Sequence, residues 1–249
     1  MSRILEFQNI KKSFSGREVL KGISFEVNKG DIVFILGTSG TGKSVLLKNL
    51  VGLLRPDSGA IIWHDKDISQ YSEEQYLEVR KNCCLVFQQP ALFDSMTLYE
   101  NIAFGLRRLT NLNEEELDKQ VRDSLKAVDL KEEILSLKPA AISYGMQKRL
   151  SIARSLCLNP EILLFDEPTT GLDPVSTQAI NQLIFRLSRK YDTTSIVVSH
   201  DMHCALDIAD YIIVLDKGKI VEQGDVDKIK CSEVPLVKDF LQEVLDANS

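Results

Sequence analysis

Eight consecutive residues, Gly37, Thr38, Ser39, Gly40, Thr41, Gly42, Lys43 and Ser44, combine three glycines, four hydroxyls and one lysine. A glycine-rich loop leaves one side free of side chains, so successive backbone N–H groups can converge on phosphate oxygens. The apolar run Ile32–Leu36 before it reads as a strand, and a helix opens near Lys43. That helix adds the partial positive charge of its N-terminus at the same place. Lys43 can then reach the β- and γ-phosphates, and the Ser44 hydroxyl can ligate Mg²⁺. The octet is a nucleotide-binding loop.

A second constellation lies far along the chain. The apolar strand Ile162–Phe165 ends in Asp166 and Glu167. In a nucleotide site, such a strand brings Asp166 to the Mg²⁺ shell through water. Glu167 is left to polarise the water that attacks the γ-phosphate. A further apolar strand, Thr194–Ser199, ends in His200. Strand ends are where open α/β sheets make ligand contacts, so His200 is a candidate hydrogen-bond donor to the γ-phosphate. His64 and His203 lack such a setting and are expected to be structural.

Positioning these residues requires a sheet. Short apolar runs at Ile4–Phe7, Ile23–Val27, Ile32–Leu36, Ala60–Trp63, Cys83–Phe87, Ile162–Phe165, Ser195–Val198 and Ile212–Leu215 read as strands. Asp216–Lys219 reads as a hairpin turn into Ile220. Closely spaced early strands suggest an antiparallel layer, and the later strand–helix alternation suggests a mostly parallel sheet: an α/β fold. Residues 89–159 contain helical patterns and no good strand, and read as an inserted helical subdomain. One of its helices spans Asn113–Ala127, with Asn113 as N-cap, and another covers Gly145–Leu158. The core then comprises 1–88 and 160–230 within a single domain, with a helical tail over 231–249. That tail is expected to hold an amphipathic helix, Pro235–Leu245, and a frayed end.

Composition narrows the partners. The chain has 249 residues, 44% of them hydrophobic and 27% charged, with a formal net charge of −6 and a pI near 5.2. An acidic chain without a basic stripe is a poor nucleic-acid binder. No run approaches the roughly 18 apolar residues of a membrane span, and the start of the chain has no signal-peptide pattern. Cys83, Cys84, Cys157, Cys204 and Cys231 lack metal-ligand spacing and suit reduced packing thiols. The adjacent Cys83 and Cys84 should face opposite sides of one strand.

The order of these elements resembles the nucleotide-binding subunit of an ABC transporter, over nearly the whole chain. Phe14 sits where that family stacks an aromatic on adenine. Gln88 matches the glutamine that couples the Mg²⁺ site to the membrane partner. Gly171, Leu172 and Asp173 match the loop that crosses the dimer interface. Ile142–Met146 falls at the family signature Leu-Ser-Gly-Gly-Gln. The resemblance implies a P-loop ABC-type ATPase core that binds ATP and Mg²⁺, the metal held by Ser44, Gln88 and Asp166. It implies a head-to-tail homodimer, in which Ser143 and Gly145 of one copy contact the γ-phosphate bound to the other. Catalytic roles go to Glu167, His200 and Gln88. Tyr144 departs from the signature, which usually has glycine there. A large side chain can crowd the contact across the dimer, or be strained if the site needs positive φ. The expectation is a ring turned away from that contact.

Ala91–Phe104, together with Gly42–Lys48, Gly145–Arg149 and Asp166–Pro174, is similar to the Mla/Mce lipid-transport ATPases. That resemblance implies an ABC permease, a periplasmic MCE-type lipid-binding partner, and a peripheral place on the cytoplasmic face of the inner membrane. Ala91–Phe93 and the helix from Thr97 would then receive the permease, and the helix around Phe240 would pack on the partner ATPase. An importer for an amino acid or ion stands as an alternative. A soluble or regulatory ABC ATPase is a further one, although the chain lacks the coiled-coil insertion or second cassette of DNA-acting and ribosomal versions.

Overall fold

The apolar run at residues 32–36 forms β3 (Ile32–Leu36), buried along its whole length. Its alternating side chains serve two cores. Ile32, Phe34 and Leu36 face one, while Val33 and Ile35 face the other. A strand buried on both faces needs an unbroken apolar run, which is why no polar alternation marks it. The computed structural model describes residues 2–247.

β3 lies inside a six-stranded sheet of order β10-β9-β3-β8-β7-β6. Its other members are β6 (Cys83–Val86), β7 (Ile162–Asp166), β8 (Thr194–Ser199), β9 (Tyr211–Asp216) and β10 (Lys219–Gly224). All pairings are parallel except the β9–β10 hairpin. A four-stranded antiparallel sheet, β2-β1-β4-β5, covers one face. It comprises β1 (Arg3–Phe14), β2 (Arg17–Asn28), β4 (Ser58–Trp63) and β5 (Lys66–Asp67). The core between the two sheets also takes in α1 (Lys43–Leu50) and α2 (Glu73–Asn82).

The opposite face carries α3 (Leu98–Leu109), α4 (Glu114–Ala127), α5 (Tyr144–Leu156), α6 (Pro174–Tyr191) and α7 (Met202–Ile208). After β10 the chain adds α8 (Val226–Lys230) and α9 (Pro235–Ala247). α3, α4 and α5 pack on one another within 98–156. Capping boxes start two of them: Thr97 with Glu100, and Asn113 with Glu116. None of the described helices is long and apolar enough to cross a membrane.

The structure adds to the sequence reading in three places. β1 and β2 extend well past Ile4–Phe7 and Ile23–Val27, because Lys11, Lys12 and Ser13 pair with Lys21, Leu20 and Glu18 across a bulged hairpin. Their polar side chains hid the strand, and the bulges broke its alternation. α2 went unforeseen, although Ser72 and Gln75 form a capping box at its start. Phe240 is buried in the core of its own chain, and α9, which carries it, packs on α7. The helix of the tail reaches Ala247, and the frayed end expected after it, Asn248 and Ser249, lies outside the described residues.

Cys83 and Cys84 enter different cores, as strand alternation requires. Burial raises the Cys83 thiol well above its ordinary range, and those of Cys84 and Cys157 to about 12. Burial, reinforced by Asp201, also raises Cys204. Cys231 is exposed. A maleimide at pH 7.5 should therefore label one thiol of five in the folded chain, read by intact mass. Rapid addition of two or more labels would contradict this packing.

Candidate nucleotide site

Every strand that feeds the site points its C-terminal end the same way. β3 leads into the phosphate loop, β7 ends at Asp166, β8 precedes His200 and β6 precedes Gln88. In open α/β sheets this is the ligand edge.

Two loop glycines are fixed by close approach. A Cβ on Gly37 would lie 2.5 Å from the carbonyl oxygen of Leu215. A Cβ on Gly42, the N-cap of α1 at φ 104°, would lie 2.7 Å from Leu20 Cδ2. Lys43 is only 6% exposed. Its Nζ donates to the carbonyl oxygens of Gly37 at 2.7 Å and Thr38 at 3.2 Å, and lies 3.5 Å from Glu167 Oε1. The ammonium therefore rests on neutral loop oxygens, which charged phosphate oxygens can outcompete.

Ser44 Oγ donates to Asp166 Oδ1 at 2.7 Å, joining two residues 122 positions apart. These two hard oxygen donors, with Gln88 on the same cavity wall, fit Mg²⁺. That ion is usually held by one or two protein oxygens together with substrate phosphates and water.

Glu167 is held from several sides. Its backbone is left-handed, φ 50°, and its N–H donates to the carbonyl of Val198 at 3.0 Å. Its Oε2 accepts from Thr170 Oγ1 at 3.2 Å and lies 2.8 Å from His200 Nδ1. Beside a carboxylate Nδ1 is the donor, so Nε2 of a neutral ring is an acceptor. An uncommon φ on a bulky residue, over-determined by its neighbours, is the geometry of a functional position.

Lys43, Ser44, Gln88, Glu167 and His200 line one cavity of about 740 Å³, and Asp166 stands behind it, joined through Ser44. Phe14, 41% exposed, forms one wall near Val19. Phe240 and Glu243 of α9 form part of another. That wall was not legible in the sequence, because it depends on how α9 docks. Thr170 was also missed, although it stands three residues after Glu167.

Ser143 and Gly145 do not share this cavity. They line a separate one of about 420 Å³ with Met146, Arg149 and Ser176. Ser143 caps α5 by accepting from the N–H of Met146 at 3.3 Å. Asp173 caps α6, accepting from the backbone and side chain of Ser176. Those bonds hold the Asp173 carboxyl below its usual range. Tyr144 lies in the first turn of α5 and is not among the positive-φ residues, so the feared backbone strain is absent.

Residues 20–170, more than half of the chain, match the family model described as ABC transporter. The chain is 38% identical over 241 residues to a probable ribonucleotide transport ATP-binding protein, mkl, of Mycobacterium leprae, covering 97% of this chain and 69% of mkl. It is 37% identical to the intermembrane phospholipid transport system ATP-binding protein MlaF of Haemophilus influenzae, covering 96% and 90%. A probable amino-acid ABC transporter ATP-binding protein of the same organism matches at 38%, covering 96% and 94%. Among solved structures, a dimeric ATP-binding cassette in a post-hydrolysis state with ADP and Pi superimposes with a TM-score of 0.83 at 29% identity, covering 90% and 99%. With a phosphate loop, a strand-end carboxylate pair and a family match on one framework, the chain belongs to the ABC transporter family and is an ATP-hydrolysing cassette.

Proposed function

We propose that this cassette powers lipid transport across a cell envelope, as a pair of copies beneath a partner permease. The observation that carries the lipid reading is the segment Ala91–Phe104, which resembles the Mla/Mce ATPases where the permease would dock. In the fold this segment borders an apolar groove of about 410 Å³ that includes Phe87, Phe93, Phe104 and Leu158. Phe87 and Phe93 are 38% and 39% exposed, and Phe93 packs on Phe104 with ring centroids 4.6 Å apart. Apolar rings left this open suit a protein partner.

The reaction follows from the residues of the cavity. ATP would stack its adenine on Phe14 and lay its phosphates along Gly37–Ser44. Lys43 would leave the carbonyls of Gly37 and Thr38 for the β- and γ-phosphates. Glu167 would then lose its cationic neighbour and accept a proton from the attacking water as the bond to γ-phosphorus forms and the bond to the ADP oxygen breaks. Ser44, Asp166 and Gln88 would hold Mg²⁺, which offsets phosphate charge when bound. His200 would turn its Nδ1–H from Glu167 to the γ-phosphate.

Ser143 and Gly145 line a different cavity from Lys43, so a complete site calls for two copies, head to tail, with residues 89–159 presenting the signature. ATP can drive closure because it binds the closed pair better than the open one. The cassette would sit peripherally on the cytoplasmic face of the inner membrane.

Affinity purification from detergent-solubilised membranes tests this. The expected companions are a permease, a periplasmic MCE-type lipid-binding subunit and phospholipid. A permease with an amino-acid-binding protein would instead favour the second reading, an amino-acid importer, which the 38% match to such an ATPase keeps open. Recovery of no membrane protein would contradict both.

A further inference from the structure

Tyr144 occupies the signature position where the family has glycine, and its side chain is turned into its own subunit. Its hydroxyl donates to Gln89 Oε1 at 3.3 Å. Its ring edge stands over Gly171, where a Cβ would meet Tyr144 Cε1 at 3.7 Å. One turn further along α5, Lys148 is 2% exposed and donates to the carbonyl oxygen of Gln88. Its Nζ lies 5.6 Å from the centre of the Tyr144 ring. Near the end of the same helix, Arg154 donates to the carbonyls of Pro90 at 3.2 Å and Ala91 at 2.7 Å. Ala91 has φ 49°, a strained position held in place by that bond.

One helix thus grips four successive residues, Gln88 to Ala91, from three of its side chains. Gln88 borders the nucleotide cavity of its own chain, while Ser143, beside Tyr144, serves the opposite site under the dimeric reading. We propose that Tyr144 is a positioning residue that ties the two sites of the dimer together. Its contacts with Gln89 and Gly171 fix the signature relative to the segment that senses its own nucleotide. A glycine at this place makes none of these contacts. Lys148 supplies the buried anchor, through its bond to the carbonyl oxygen of Gln88.

The inference rests on the dimeric reading above, and a double-mutant cycle separates the two. In a Glu167→Gln background, ATP-dependent dimerisation is measured by light scattering for the parent, Tyr144→Phe, Gln89→Ala and the double variant. ATP affinity is measured below the dimerisation concentration. Each single variant should weaken dimerisation about threefold, the low end of the usual coupling range. The double variant should be no weaker than either single, and monomer ATP affinity should stay unchanged in all four. Additive losses of about ninefold, or no loss in either single variant, would overturn the role of Tyr144 while leaving the dimer intact. Failure of the parent to dimerise with ATP would overturn the dimeric reading and this role with it.

Discussion

Glu167→Gln should retain ATP and lose turnover by about 10²- to 10⁴-fold, the range expected when a general base is removed. The substitution is nearly isosteric, so the bonds from Thr170 Oγ1 and the backbone N–H of Glu167 can persist. What disappears is the acceptor for the proton of the attacking water. Steady-state phosphate release and ATP retention on a filter, measured together, check the result. Undiminished hydrolysis would remove Glu167 from the base role. The left-handed backbone at Glu167 makes this a demanding position, yet glutamine places no new burden on φ, so a folding defect is not the expected outcome.

Lys43→Ala should weaken ATP binding by roughly 10- to 100-fold. A hydrogen bond to a charged group contributes about 1.5–3 kcal/mol, and each 1.4 kcal/mol is a factor of ten. In the free protein Lys43 is satisfied by two carbonyls, so part of its attraction to phosphate is offset by bonds it must release. Isothermal titration with a non-hydrolysable ATP analogue reads the change. Tight binding by the alanine variant would contradict the placement of the phosphates along the loop.

Much of this site was legible because its parts are local. The phosphate loop, the acids after β7 and the histidine after β8 each follow a short apolar run of the length and β-branched content of a buried strand. The parallel register then brings their C-terminal ends to one edge. The sequence also separated the faces of Cys83 and Cys84, since strand alternation needs no tertiary information. Contacts across long stretches of chain were not legible. The bond from Ser44 to Asp166, and the grip of Lys148 and Arg154 on residues 88–91, depend on how α1 and α5 settle on the sheet. Phe240 illustrates the same limit. Its amphipathic helix could bury its apolar face against this chain or another, and only packing against the surroundings of α7 decides. The polar half of the β1–β2 hairpin was hidden for a different reason: it is exposed, and its bulges disrupt the period that reveals strands.

We infer that a complete catalytic site takes its phosphate loop from one copy and its signature from another. A cysteine pair, Ser39→Cys with Ser143→Cys, tests it most directly in a Glu167→Gln, Cys231→Ser background that removes the exposed native thiol. Mild oxidation with ATP and Mg²⁺ present should join two chains, giving a covalent species of twice the 28.0 kDa protomer, and little should form without ATP. Absence of that species with ATP bound, or a disulfide confined within single chains, would contradict the composite site.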